Sequence, residues 1–437
     1  MKKILEYFDR FKIYINNSIW VLTGMVVRML ITIFIVSRIA NQIGTEDFGW
    51  YNFAISVFTV LFSFSTLGFN QSFIIKHIVN NEDSKEAVLG TSIITRVFWS
   101  ILILCFFALW ILVTGAEVNY WVVLLASTCI LFQVSELFVA YYQWRLKANV
   151  YVSVSLVVLL IVAVLLIYGL YMDYGLVYFI SVYVIERVLI LLGLTFTFNK
   201  LDIKLRDLKF DYALFKMLFL QSWPLLLGAI LTALYARFDQ FLIKYFLSMS
   251  DIGIYGTAII LTQIWYVVPS LIIPILYPKI AEKKKEGDYD NYFKIITLLY
   301  GALNYIALGV IALMYIFGDY IILELYGKDY ADSVYILKIL IWNLIILFQS
   351  HLTTSMMIIE GRERYLFNTK LVSVIVNIVL NVIFLATYGI VFAAYSLLIS
   401  SFISWIVLAL FDSKMRMLLK LNIQSYTLPF NLKKYMI

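Results

Sequence analysis

The sequence predicts an all-α integral membrane protein with about twelve transmembrane helices, arranged as two parallel six-helix repeats (lobes). Hydrophobic residues make up 63% of the 437 positions and charged residues 14%, whereas soluble domains contain about 45–50% and 25%. Twelve apolar stretches are each close to the roughly 20 residues that a helix needs to cross a bilayer. The beginning of the sequence also recurs in its middle, which indicates a duplicated unit.

The duplication is visible at a constant offset of 204 positions. Apolar segments match one another by chance, so the matching lysine, serine, glycine, aspartate and tyrosine residues carry the argument. They pair Lys12 with Lys216, Ser18 with Ser222, Gly24 with Gly228, Asp47 with Asp251, Gly49 with Gly253 and Tyr51 with Tyr255. Each half contains six predicted spans and begins on the same side of the membrane, so the repeats are expected to be parallel.

The predicted spans divide the chain into four parts. An N-terminal lobe is expected over residues 1–198, beginning with a short amphipathic helix on the membrane surface. Residues 199–217 are expected to form an interfacial linker helix, residues 218–411 a C-terminal lobe and residues 412–437 a tail. The spans are expected near 17–39, 49–69, 88–113, 118–141, 151–171, 175–198, 218–243, 252–278, 293–317, 333–358, 367–387 and 389–411.

Lysine and arginine residues are distributed very unequally between the two sets of loops. The set that includes both termini, the linker and the tail contains 26 of the 34 basic residues, whereas the opposite loops contain only Lys244 and Lys328. Basic residues are concentrated in the loops on the cytoplasmic side of a membrane. The sequence therefore predicts a multi-pass protein whose termini, linker and tail are cytoplasmic.

Several kinds of chemistry are not expected. Cys105 and Cys129 lie inside apolar segments, which indicates neither a disulfide framework nor a metal site. The sequence contains no HExxH, GxGxxG or Walker-type motif, and the longest outer loop, about 318–332, is too short for a catalytic domain. We therefore expect no catalytic residues, no metal, no enzyme activity and no nucleic-acid partner.

Ionisable residues inside the spans indicate where a functional site lies, because each costs on the order of 3 kcal/mol at the centre of a membrane helix. Arg28, Glu186 and Arg187 are each about eleven residues into a span, near the midplane. Guanidinium groups make bidentate contacts with phosphate oxygens, so Arg28 is the first candidate to bind an anionic substrate, with Arg187 and Arg237 as further candidates. Glu186 and Asp239 are candidate coupling or gating groups.

Four other charged residues are expected to have structural roles. Arg96 and Glu136 lie at similar depth on adjacent spans and are expected to form an ion pair. Asp47 and Asp251 each precede an apolar run and are expected to cap the helices of spans two and eight.

Three segments resemble the polysaccharide-transport family, which includes the O-antigen-unit flippases of the multidrug/oligosaccharidyl-lipid/polysaccharide exporter superfamily. The first is NSIWVLTGMVVRML followed by GTEDFGWYNFAISVFTVLFSFSTLGFNQSFIIKHI. The second, ARFDQFLIKYFLSMSDIGIYGTAIIL, contains Asp239, Gly253 and Tyr255. The third, EGRERYLFNTKLVSVIVNIVLNVIFLATYGIVFAAYSLLIS, resembles the family's eleventh and twelfth spans. It contains Gly361, Asn377, Asn381 and Gly389 at the positions expected from that resemblance.

This resemblance implies two six-helix lobes around a central cavity that opens alternately to each side. It also implies a flippase that moves a polyprenyl-diphosphate-linked oligosaccharide, an O-antigen, capsule or exopolysaccharide repeat unit, from the cytoplasmic to the outer leaflet of a bacterial inner membrane by alternating access. The implied partners are the lipid-linked oligosaccharide on its undecaprenyl diphosphate carrier, membrane lipids and other polysaccharide-assembly proteins. No cofactor is expected, and a proton or sodium gradient is the candidate energy source. Two alternatives are a drug or metabolite antiporter of the same superfamily, which would favour acidic groups in its cavity, and a membrane glycosyltransferase or polymerase, which would carry a large outer loop.

Overall fold

The computed structural model describes residues 20–80, 85–115, 117–199 and 204–426, which form helices joined by short connections. Eleven helices in this part of the chain are long and apolar enough to cross a membrane. The prediction of an all-helical membrane fold is confirmed. The amphipathic helix expected before the first span lies outside the described residues.

The first helix accounts for two of the predicted spans. It runs over 46 residues, about 69 Å at 1.5 Å per residue, which is more than twice the roughly 30 Å thickness of the hydrocarbon core. Gly44 interrupts its helical geometry with a φ of 80° and a ψ of 174°, a conformation that residues with a Cβ atom avoid. With this division, the described helices match the twelve predicted spans.

The first half of the chain contains a short helix in addition to its spans. The helices are α1 (Trp20–Ser65), α2 (Gln71–Asn80), α3 (Lys85–Thr114), α4 (Tyr120–Trp144), α5 (Ala148–Tyr171) and α6 (Leu176–Phe198). The short helix α2 packs into an apolar core that includes Phe73, Leu137 and Leu194. This core joins helices that are distant in sequence into one bundle.

The linker differs from its prediction. Between residues 204 and 211 it contains a 3₁₀ turn, Leu205–Asp207, and a segment outside any helix, and α-helix begins only at Tyr212. A Cβ atom at Gly90 would lie 2.5 Å from the Lys209 carbonyl oxygen, and the Asp211 N–H donates to Thr91 Oγ1 at 3.0 Å. The prediction of a helix is wrong here because the linker backbone packs directly on the start of α3.

The second half of the chain begins with a helix that extends into the predicted linker. The helices are α7 (Tyr212–Phe246), α8 (Met249–Lys285), α9 (Tyr289–Leu325), α10 (Asp332–Ile359), α11 (Glu363–Tyr388), α12 (Ile390–Phe411) and α13 (Ser413–Ser425). Helix α13 lies in the predicted tail and packs on α9, where Asn304 Nδ2 donates to Asn422 Oδ1 at 2.8 Å. Both amides are buried, so the described part of the tail belongs to the helical bundle.

The chain divides into two compact units, Met1–Arg237 and Phe238–Ile437, called here the N-terminal and C-terminal units. The division falls inside α7, some distance after the linker. The first part of α7 packs on the turn after α1, because Ser222 Oγ donates to the Leu67 carbonyl oxygen at 2.7 Å. Gly68 in that turn has a φ of 78°, and a Cβ atom there would lie 2.9 Å from Leu226 N.

Candidate functional site

The predicted helix caps lie at equivalent places in the two repeats, but Asp251 is not the cap residue itself. Ser248 caps α8: its Oγ accepts a hydrogen bond from the Asp251 N–H at 3.2 Å, and Asp251 Oδ2 accepts one from the Ser248 N–H at 3.0 Å. Asp251 is therefore the N3 residue of a capping box, three positions after the cap. Asp47 similarly follows Gly44, the break in α1, by three residues. The assignment of Asp251 is corrected because the cap is the residue whose side chain accepts from the N–H two or three positions later.

The structure brings Arg96 and Glu136 together, as the sequence predicts. Arg96 Nη2 lies 3.3 Å from Glu136 Oε2, and the side chains are 3% and 31% exposed, respectively. The guanidinium carbon of Arg96 also lies 5.6 Å from the centre of the Phe62 ring. The arginine is thus almost completely buried in α3, and its counter-ion on α4 is partly accessible.

Arg28 forms an ion pair with Glu186, a residue 158 positions away. Arg28 Nη1 donates to Glu186 Oε1 at 2.7 Å, and the side chains are 41% and 9% exposed. The sequence predicts that both residues lie near the membrane midplane, but it does not indicate that their helices are adjacent, so this contact is not predicted. Their matching depth is the signal that could have revealed it.

Arg187, the residue after Glu186, is a second guanidinium group close to the same carboxylate. Arg187 Nη2 lies 3.4 Å from Tyr183 Oη, and its guanidinium carbon lies 5.0 Å from the centre of that ring. Its Nε is buried and makes no hydrogen bond within the described chain. Glu186 interacts electrostatically with both Arg187 and Arg28, so one carboxylate serves two guanidinium groups. We call Arg28, Tyr183, Glu186 and Arg187 the guanidinium cluster.

Asp239 of the C-terminal unit is surrounded by neutral hydrogen-bond donors. Asp239 as a whole residue is 4% exposed. Tyr255 Oη donates to Asp239 Oδ2 at 2.9 Å, and Asn381 Nδ2 donates to Asp239 Oδ1 at 3.1 Å. Asn381 Nδ2 also contacts the Asn377 carbonyl oxygen at 3.1 Å. We call Asp239, Tyr255, Asn377 and Asn381 the carboxylate cluster.

Arg237 is not a counter-ion of Asp239. It is half-buried on α7, two positions before Asp239, and side chains at this spacing leave a helix in different directions. The hydrogen-bond donors to Asp239 within the described residues are Tyr255 Oη and Asn381 Nδ2. A phenol and an amide therefore satisfy this buried carboxylate.

Comparison with known proteins identifies the family. Residues 14–284 match the family described as "Polysaccharide biosynthesis protein". The chain belongs to this family. The family resemblance drawn from the sequence motifs is thereby confirmed.

Two proteins of known name align with most of the chain. The capsular polysaccharide biosynthesis protein CapF of Staphylococcus aureus is 21% identical over 389 residues, 85% of this chain and 93% of CapF. A protein assigned as an O-antigen transporter of Shigella flexneri is 25% identical over 350 residues, 75% of this chain and 80% of that protein.

The fold also has a close counterpart among solved structures. The lipid II flippase MurJ in its inward closed conformation superimposes with a TM-score of 0.69, covering 97% of this chain and 93% of MurJ. The two sequences are 13% identical, so this comparison establishes the fold alone. This polysaccharide biosynthesis family member is a multi-pass membrane protein with the fold of MurJ.

Proposed function

We propose that the protein is a flippase that moves a polyprenyl-diphosphate-linked oligosaccharide, the repeat unit of an O-antigen, capsule or exopolysaccharide, by alternating access. The proposed direction is from the cytoplasmic to the outer leaflet of a bacterial inner membrane, with both termini in the cytoplasm. The family and the relatives named for capsule synthesis and O-antigen transport support this substrate class. The proposed activity involves no covalent chemistry.

The guanidinium cluster carries the proposal. A guanidinium group within a membrane span is expensive unless it is paired or faces a polar environment, yet the Arg28 side chain is 41% exposed while paired with Glu186. The cluster contains two guanidinium groups and one carboxylate, so it has an excess positive charge. Arginine binds phosphate oxygens with planar, charge-assisted contacts, and a diphosphate supplies the complementary negative charge.

Substitution of Arg28 tests the proposal. Loss of one charge-assisted contact costs about 1.5–3 kcal/mol, or some ten- to a hundredfold in affinity. In a flippase-deleted strain, Arg28→Ala should nearly abolish surface polysaccharide, and Arg28→Lys should be intermediate because it keeps the charge but loses the planar fork. Arg38→Ala is the matched control, because Arg38 is an exposed arginine on the same helix. Full complementation by Arg28→Ala at equal protein level would overturn the assignment of Arg28.

Asp239 is the proposed group that couples transport to a proton or sodium gradient. A buried carboxylate without a cation is costly, and the hydrogen-bond donors to Asp239 are a phenol and an amide group. Uptake of a proton or a sodium ion would remove this cost. Glu186 is the weaker candidate because Arg28 already neutralises it.

Imposed gradients test the coupling. In proteoliposomes, transport by the unsubstituted protein should respond to a proton gradient or to a sodium gradient, and Asp239→Asn should lose that response. The control is Asp319→Asn, which neutralises an exposed acid paired with Lys338. An unchanged gradient response in Asp239→Asn would refute the role of Asp239.

A further inference from the structure

We propose that Glu186 is an exchangeable counter-ion: a diphosphate displaces it from Arg28 during binding, and its return to Arg28 promotes release of the diphosphate. This inference rests on the proposed function and adds a residue that sets how tightly the substrate is held. The Arg28 Nη1–Glu186 Oε1 contact at 2.7 Å is the starting geometry. It occupies one edge of the guanidinium group through a single oxygen atom.

The exposures of the two side chains show which partner an incoming anion can reach. Arg28 is 41% exposed, whereas Glu186 is 9% exposed. A phosphate group can therefore reach the guanidinium group of Arg28, whereas the carboxylate of Glu186 is largely inaccessible. Phosphate offers two oxygens to the planar fork, whereas Glu186 offers one oxygen in this geometry.

Arg187 keeps Glu186 compensated after the exchange. A buried carboxylate that loses its only cation is strongly destabilised, which would oppose displacement. Glu186 also interacts electrostatically with Arg187. Arg187 Nη2 lies 3.4 Å from Tyr183 Oη, and the Arg187 guanidinium carbon lies 5.0 Å from the centre of the Tyr183 ring. The second guanidinium group thus provides the charge that makes release of Arg28 from Glu186 feasible.

The exchange has a defined consequence for affinity and turnover. Because Glu186 competes with the diphosphate for Arg28, it weakens binding. A transporter must also release its substrate on the other side of the membrane, and an internal anion that reclaims the arginine accelerates this step. Removing the carboxylate should therefore tighten binding and slow release, which distinguishes counter-ion exchange from a purely structural ion pair.

The experiment measures binding of undecaprenyl diphosphate to the purified full chain in nanodiscs, together with surface polysaccharide in a flippase-deleted strain. Glu186→Gln should lower the Kd about tenfold, equivalent to about 1.4 kcal/mol, while polysaccharide export falls. Asp319→Asn is the matched control, because it removes the same charge from the pair with Lys338 and should leave the Kd unchanged. An unchanged or higher Kd in Glu186→Gln would overturn the inference.

Two further variants separate failure of this inference from failure of the proposed function. Arg28→Ala should lose diphosphate binding; if it binds like the unsubstituted chain, or if the latter does not bind, the proposed site itself fails. If Arg28→Ala loses binding but Glu186→Gln does not tighten it, only the exchange is wrong. Should Glu186→Gln fail to fold, Glu186→Asp withdraws the carboxylate by one methylene, and its Kd should fall about threefold; no decrease would refute the exchange.

Discussion

Removing either partner of the Arg96–Glu136 ion pair should have unequal effects on stability. Arg96 is 3% exposed and Glu136 is 31% exposed, so Glu136→Gln leaves a buried guanidinium group without its counter-ion. This change should lower the free energy of unfolding by about 3–5 kcal/mol. Arg96→Met replaces the buried charge with a flexible apolar side chain and leaves a carboxylate that water reaches, so its cost should be about 1 kcal/mol, as for a solvent-accessible pair.

Reversible unfolding of the purified protein in mixed detergent micelles measures this difference. Glu136→Gln should be less stable than Arg96→Met by about 2 kcal/mol or more, the smallest difference between the two estimates. The exchange of both residues, Arg96→Glu with Glu136→Arg, should recover part of what the single changes lose. Equal losses, or a larger loss in Arg96→Met, would refute the argument from burial, and an exchange variant no better than the singles would refute the pairing.

Three further predictions concern topology, acid sensitivity and packing. In a chain without its native cysteines, a membrane-impermeant thiol reagent added outside should label a cysteine beside Lys328 and miss one beside Lys284; the reverse would overturn the orientation. Burial alone would raise the pKa of Glu360, but the hydrogen bond from Tyr292 and the nearby lysine ammonium groups lower it. Its stabilisation is therefore fully present at neutral pH and is lost as the pH falls from the ordinary glutamate value through the lowered pKa. Glu360→Gln should destabilise the protein at pH 7, with a loss that shrinks as the pH falls below about 4.5, and a pH-independent loss would contradict this. Gly68→Ala should lower the melting temperature, because φ is 78° and the added methyl group meets the backbone of α7; an unchanged melting temperature would show that the turn can adjust.

The sequence predicts the spans well because each is a local property of about 20 consecutive residues. It also predicts the Arg96–Glu136 pair, because adjacent spans of known direction place these residues at the same depth. The Arg28–Glu186 pair joins residues 158 positions apart, and the order of helices around a bundle is not contained in a local pattern. The same limitation applies to Asp239, whose partner Asn381 is 142 positions away.

The linker shows a different limitation. Its charged, glycine-free composition favours a helix. Its backbone at Lys209 instead packs against Gly90 of α3, a tertiary contact that the local composition does not reveal. Tertiary packing overrides local propensity. The cap residue of α8 differs from its prediction for a simpler reason. Ser248 and Asp251 both favour a helix start, and only the hydrogen-bond directions identify Ser248 as the cap.

The duplicated tyrosine shows that the two halves have acquired different chemistry. Tyr255 contacts Asp239 within the carboxylate cluster, whereas its counterpart Tyr51 interacts electrostatically with Glu186 and Arg187 of the guanidinium cluster. A pair built from two copies of the first half would contain two guanidinium clusters, and a pair built from two copies of the second half would contain none. The ancestral symmetry persists in the helices but not in their chemistry, so neither half can substitute for the other.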